Sequence, residues 1–547
     1  IKENYKNYGI QFISDFTKGK LKLGETVLIK RNLHNWSDKN LLIAQKWSST
    51  LPLYDPDSST GFAGAGNGTD CASSLAEAHL NWNKSEETVI NGNVWASFEF
   101  IPGLVYKFNM GVDLFRDMVQ NYISDYNVGQ YQNHTPDEYK MSSAKNNRFL
   151  YENTLSYDKI IGKHNISAWA GSTVEETRDL SHNVGARAMP SPDILILGST
   201  QDDKSKVIGS SVGKSAMFSI LGRVNYSYDS KYMLTANFRR DGSSNFSKKN
   251  RYGNFPSFSA AWRISQEKFM EDLTFISDLK LRGSWGILGN SRIDPYQYQS
   301  SVTFNQVWYY MNDDKTPGAL PLTPSNPEVK WESQYSTDLG FDLSMFDNRL
   351  SVVVDYYNNK TKDMLVQVPI SYAAGYLSNF PTLNAGSIRN KGFEFAVTYR
   401  ETKGKFNYSA SANLSTVKNE VISLGNNNEI FAGGGISRTV VGKSIGQFWG
   451  YVTDGLYTTQ EQLDADKEFA PDAALGDIRF KDRTGDKKLN DDDKDFIGNP
   501  IPKFTYGLGV DLSYEASFGI VDFSMILQGS QGNDIYNNTR YFGEGMY

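Results

Sequence analysis

The chain has one cysteine in 547 residues. That excludes an internal disulfide framework and any cage of cysteine ligands around a metal. Cys71 stands in a loop rich in Gly, Ala and Ser and reads as chemically idle. Long apolar runs are also missing: the hydrophobic fraction is 39%, mean hydropathy is −0.49, and no stretch approaches the roughly 18 residues of a membrane helix. Excess of one charge is missing too. With a net charge of −6 and scattered Lys and Arg, the chain offers no basic surface for nucleic acid.

Histidine is scarce. His34, His79, His134, His164 and His182 are far apart, with no metal-binding helix spacing, and read as surface or loop residues. Gly213-Lys214-Ser215 and Gly442-Lys443-Ser444 resemble the end of a phosphate loop, but Ile208 and Ser437 stand where its first glycine belongs. No Ser/His/Asp set marks an enzyme. The first eight residues have no charged start followed by an apolar core, so they hold no signal peptide.

What is abundant is aromatic residue and glycine: 32 Tyr, 31 Phe and 47 Gly. They fit a closed membrane sheet, and equally a soluble sandwich or propeller. Patterning separates the two. Phe218, Ile220, Gly222, Val224, Tyr226 and Tyr228 alternate with mostly polar neighbours, so one face is apolar and the other wet. After Asp229, Ser230 and Lys231 the alternation resumes through Tyr232, Leu234, Ala236 and Phe238, a hairpin. Phe258, Ala260, Trp262 and Ile264, then Leu279, Leu281, Trp285 and Ile287, repeat it. Each segment is about ten residues, enough for a tilted strand to cross a bilayer.

About sixteen such segments are countable along the chain. Their joints alternate between tight and long, with long polar loops expected near residues 30–88, 114–147, 176–215, 289–331, 358–390 and 418–503. The segment Ser265 to Asp278 is the one moderately long joint on the tight side. Short turns on one side and long loops on the other belong to an outer-membrane barrel, with turns in the periplasm and loops outside. Aromatic pairs at the tight ends, Tyr228 with Tyr232 and Tyr399 with Phe406, suit an interfacial girdle. The expected fold is an all-β transmembrane antiparallel barrel.

Several blocks carry a more specific likeness. The run Arg223 to Tyr228, Arg240-Asp241-Gly242-Ser243-Ser244, Phe255-Pro256-Ser257, Ala260 to Ile264, Asn326-Pro327-Glu328-Val329-Lys330-Trp331-Glu332, Asn390-Lys391-Gly392-Phe393-Glu394, Gly446 to Gly455 and Gly498 to Gly507 together resemble the SusC/RagA family of TonB-dependent outer-membrane transporters of Bacteroidota. Ser444 departs from the proline common there. The resemblance implies a barrel of about 22 strands around an N-terminal plug. On that reading residues 1–547 are the barrel portion, with the plug, the TonB box and the last strands outside this sequence.

The resemblance also implies function: TonB-driven import of large nutrients, oligosaccharides first and peptides second, under a SusD-like surface lipoprotein, in the outer membrane of a Gram-negative bacterium. A passive porin, or a surface adhesin on a barrel base, is the alternative. Two candidate sites lie in the expected loops. Asp482, Thr484, Asp486, Asn490 and Asp493 occupy positions 1, 3, 5, 9 and 12 of a calcium-loop spacing, where oxygens two apart converge on a hard cation. Lys487 stands where that loop has glycine. Trp308, Tyr309 and Tyr310, with Asn312 and Asp313 beside them, are the candidate ligand contacts, because aromatic faces stack on sugar rings and amides orient hydroxyls.

Overall fold

Alternation of apolar and polar residues does produce strands, and the strands pair in chain order. The computed structural model describes residues 3–37, 50–64, 73–129, 132–311, 314–367, 381–425, 429–432 and 435–543, with residues 44, 47, 373, 375 and 376 between them. One antiparallel sheet of 17 strands dominates it. Eight hairpins follow one another: β1 (Asn4–Lys18) and β2 (Leu21–Trp36), β3 (Trp82–Ile101) and β4 (Leu104–Ile123), β5 (Glu138–Ile161) and β6 (His164–Arg187), β7 (Val207–Tyr228) and β8 (Tyr232–Ser243). They continue as β9 (Tyr252–Arg263) and β10 (Ile276–Asn290), β11 (Glu332–Met345) and β12 (Leu350–Lys362), β13 (Ser387–Lys403) and β14 (Phe406–Thr416), β15 (Phe504–Ala516) and β16 (Gly519–Gln531). The seventeenth strand, Lys418–Ser423, continues past β14 and pairs with the start of β13.

The tight joints are as expected. Asp229 and Ser230 bend between β7 and β8 at φ 52° and 54°, and Phe346, Asp347 and Asn348 between β11 and β12 at φ 55°, 57° and 65°. Left-handed backbone is what so short a reversal requires. The Ile264–Phe275 joint of β9 and β10 is filled by two short 3-10 turns, Ile264–Gln266 and Lys268–Met270.

The strands are longer than ten residues. β5 and β6 each have 24, paired without interruption from Glu138↔Arg187 to Ile161↔His164. At ~3.4 Å per residue that far exceeds a hydrocarbon core of ~30 Å. Beyond the bilayer both faces of a strand meet water, so alternation fades while backbone pairing continues. Segments 114–147 and 176–215 are therefore largely wall, and the loops proper shrink to 124–137 and 188–206.

Register keeps one face apolar across the sheet. Tyr228, Tyr232, Trp262, Leu281, Phe341, Val354, Phe395, Leu414 and Tyr506 are successive partners on neighbouring strands. The row begins at the turn end of β7 and finishes near the loop end of β15. That drift is the stagger of strands tilted around a barrel wall. On this face Leu234 is 55% exposed, Phe258 54% and Leu339 58%, values that make sense only against lipid.

The other face carries polar side chains. Asn93 donates to Asn109 at 2.6 Å and Asn109 to Glu152 at 2.7 Å. Asn237 donates to Ser257 at 3.0 Å. The faces should respond oppositely to charge: in the full-length protein refolded into vesicles, Leu339→Arg is expected to cost about 2–4 kcal/mol at mid-bilayer depth, and Ser259→Arg far less, by denaturant titration of tryptophan fluorescence. Equal losses would show that the two faces have been assigned to the wrong solvents.

Candidate functional site

A barrel acts through its inner wall and its loop end, and both are built by residues that alternation places away from lipid. On the inner wall Arg282 reaches three carboxylates of neighbouring strands, Asp355 at 2.6 Å, Asp342 at 3.1 Å and Asp338 at 3.3 Å, while Lys280 also holds Asp342, at 2.5 Å. Amides and carboxylates in such ladders hold water and can orient polar cargo.

At the loop end, blocks distant in sequence assemble one knot. Phe246, from the loop after β8, and Val329, from the loop before β11, are completely buried, packed with Phe255 and Trp331. The Trp331 ring lies 5.3 Å from both Phe246 and Phe255. Polar groups close the edges: Trp331 donates its indole N–H to the Arg251 carbonyl at 2.9 Å, Ser247 its hydroxyl to the Pro327 carbonyl at 2.8 Å, and Asn250 its amide to the Glu328 carbonyl at 3.0 Å. Asn326 donates to the Thr382 carbonyl at 2.7 Å, and the amide of Asn384 spans the carbonyls of Lys330 and Asp363, each at 2.8 Å. Three loops are thus tied into one rim.

Gly392, on β13, is held to glycine by its neighbour across the sheet. A Cβ there would collide with the Thr416 carbonyl oxygen, where Tyr357 also donates its hydroxyl at 2.9 Å. The knot of Phe246, Phe255, Val329 and Trp331 is not legible as a structural element in the sequence. Part of its signal was present, since Phe246 is a lone large aromatic in the otherwise polar stretch 244–251.

Within segment 418–503, expected as one loop, Lys418–Ser423 belongs to the main sheet, and the described residues after it form a small folded unit. Four short strands form a sheet, Glu429–Ala432, Ser437–Val440, Gln447–Tyr451 and Lys494–Gly498. Thr459 and Gln462 form a capping box on the helix Gln460–Ala465, and Tyr457 is buried with its hydroxyl 3.3 Å from Asp466.

The acidic spacing lies at the edge of this unit and is partly drawn together. The Thr484 hydroxyl lies 3.4 Å from an Asp482 oxygen and 3.3 Å from an Asp493 oxygen, which joins positions 1, 3 and 12. Asn490 donates to Asp486 at 3.3 Å, joining positions 5 and 9. Lys487 takes the left-handed turn with φ 58°. Asp493 is fully buried and accepts the backbone N–H groups of Arg483, Thr484 and Asn490 at 2.9, 3.3 and 3.0 Å. Among the described residues no three carboxylate or imidazole groups already form a metal cage.

Trp308, Tyr309 and Tyr310 lie on a separate hairpin, Ser301–Met311 with Asp314–Thr323. Successive strand residues face opposite ways, so Trp308 and Tyr310 share one side and Tyr309 takes the other. All three are exposed, Tyr310 at 76%, and the Lys315 ammonium sits 4.5 Å above the Trp308 ring. Asn312 and Asp313 lie outside the described residues, as does Cys71.

The backbone amides around Asp493, that of Asn490 first, hold its carboxyl below the usual range. A depressed folded pKa stabilises the loop at every pH above the unfolded aspartate value of ~3.9, and that contribution is lost as pH falls through the lower folded value. Hydrogen-exchange protection across residues 482–494 of the full-length protein, taken relative to the intrinsic rate at each pH, should therefore be high near neutrality and fall only below about pH 4. Asp493→Asn should lower that protection near neutrality, where the wild-type carboxyl is ionised, and unchanged protection in that variant at neutral pH would remove Asp493 as the anchor.

Residues 35–546 match the family described as TonB dependent receptor-like, beta-barrel. TonB-dependent receptor P3 of Formosa agariphila is 30% identical over 510 residues, covering 91% of this chain and 49% of its own length. TonB-dependent receptor SusC of Bacteroides thetaiotaomicron is 28% identical over 498 residues, covering 88% of this chain and 47% of its own length. The chain thus spans about half the length of these curated relatives. In structure it superposes on the RagAB peptide transporter with a TM-score of 0.80 over 99% of this chain and 59% of that one, at 23% identity, a likeness of fold. With sixteen consecutive hairpin strands, an apolar outer face and a family match over almost its whole length, this chain belongs to the TonB-dependent receptor β-barrels.

Proposed function

We propose that the chain forms the barrel wall of an energised importer of large nutrients in the outer membrane, oligosaccharides first and peptides second. The observation that carries this reading is the family match over residues 35–546, with SusC among the relatives. The family is one of transporters, not enzymes. In this reading a SusD-like lipoprotein covers the loop end, and force from TonB, acting on a plug, opens the path along the polar wall. The knot of Phe246 and Trp331 would give the moving lid a fixed rim.

The aromatic hairpin is the proposed first contact. Trp308 and Tyr310 project together from one side of an exposed strand, a spacing suited to stacking on a sugar ring or a peptide side chain. The acidic loop is the proposed cation site, held by Asp482, Thr484, Asp486 and Asn490 around the Asp493 anchor. Binding there would draw Asp486 away from Lys488 and Asn490, to which it is now bonded at 2.9 and 3.3 Å.

Growth and uptake separate this reading from its rival. Deleting the gene, or tonB, should abolish uptake of a labelled oligosaccharide or peptide pool, whereas uptake that survives loss of TonB would point to a passive porin. Tyr310→Ala should weaken ligand binding about fivefold to tenfold, the scale of one lost stacking contact. For the cation, calorimetry of full-length protein with Ca²⁺ should give saturable binding that Asp486→Ala removes, and an absence of binding heat would take calcium out of the reading.

A further inference from the structure

The lipid-facing side of β5 to β10 is not a uniform apolar surface. Between β5 and β9 an apolar groove of about 630 Å³ runs across the strands. Ala168, Gly222 and Ala236 form its floor, and Leu155, Phe238 and Phe258 rise beside them. A second groove, about 590 Å³, shares Ala236 and Phe258 and continues to Trp285. Both are continuous with the surface that the barrel turns to the bilayer.

The tight-turn end of the same surface mixes a cation and hydrogen-bonding rings with the apolar Ile161 and Ile166. Register sets Lys159 opposite Ile166, and Ile166 opposite Tyr226, so Lys159 emerges on the lipid face two residues closer to the turn than the groove row of Tyr157, Ala168, Val224, Ala236 and Phe258. Lys159 is exposed and forms no ion pair among the described residues. The neighbouring turn acid, Asp229, is held by Lys163 at 2.7 Å. Beside Lys159 on that face, the exposed ring of His164 bonds the Tyr226 hydroxyl through Nδ1 at 2.8 Å.

A cation at interfacial depth above an apolar groove has the polarity of a phospholipid in the same order. An anionic headgroup would meet Lys159, with His164 and Tyr226 offering hydrogen bonds, and an acyl chain would lie over Ala168, Gly222 and Ala236 toward the bilayer centre. The tight turns of such barrels face the periplasm, which puts the occupant in the inner leaflet. We propose that the β5–β9 groove with Lys159 is a binding site for one anionic phospholipid of the inner leaflet. The proposal rests on the membrane placement of the barrel and not on the identity of the cargo.

The test uses full-length protein extracted in mild detergent, delipidated stepwise and read by native mass spectrometry, then reloaded with phosphatidylglycerol or phosphatidylcholine. One phosphatidylglycerol should be retained in preference to phosphatidylcholine. Lys159→Glu should lower phosphatidylglycerol retention about fivefold, the scale of one cation at an anionic surface, and leave phosphatidylcholine unchanged. Ala236→Trp, which fills the groove floor, should lower retention of both, with folding verified by heat-modifiable mobility. Equal retention of the two lipids, wild-type retention by Lys159→Glu, or lipopolysaccharide held in their place would overturn the proposal. TonB-dependent uptake measured in the same variants reports on transport separately, so either reading can fail alone.

Discussion

Inside a bilayer a backbone N–H or C=O has no water to bond, so each strand must find its partners in the neighbouring strand. The unbroken meander from β1 to β16 meets that requirement hairpin by hairpin. Nearly every other feature depends on it. Once pairing is compulsory, side chains can only alternate, one row to lipid and the next to the interior, and a slip of one residue would turn Arg282 outward and Phe341 inward. The stagger of the apolar row from Tyr228 to Tyr506 is the same constraint expressed across strands, because a tilted wall keeps its belt level only if the register drifts.

The polar side of this wall and its loop end divide the work. The inner wall is a ladder of amides, carboxylates and the Arg282 cluster. The loop end has the only substantial dry packing among the described residues, in small clusters such as that of Phe246, Phe255, Val329 and Trp331. That distribution is what a barrel wall should have: apolar burial is supplied by lipid around the belt, and protein must supply it only where loops leave the membrane and still need fixed positions.

Legibility in the sequence followed the same physics. Where a strand separates two solvents, as from Phe218 to Tyr228, alternation reported it, and the tight joints at Asp229 and Phe346 to Arg349 were visible from their residues. Where both faces meet water, as in the outer halves of β5 and β6, the strand persists on backbone bonds alone and left no pattern to read. The candidate trio Trp308 to Tyr310 shows a finer limit. Adjacency in sequence suggested one cluster, but a strand sends neighbours to opposite faces, so only two of the three share a side.

By itself the sequence determined the membrane sheet, the order of its hairpins and which end is tight, because those follow from a two-residue period and from turn chemistry, both local. It also placed the acidic spacing and the motif blocks. Only the tertiary structure decided that Phe246 meets Trp331, that the residues around Tyr457 form a folded unit rather than a loop, that Asp493 serves as an anchor for backbone amides, and that Lys159 stands below a groove floored by Gly222. The first and last of these join segments tens of residues apart through register and packing, while the Tyr457 unit and the Asp493 anchor depend on how a short stretch folds back on itself, and neither kind of contact carries a periodic signal along the chain.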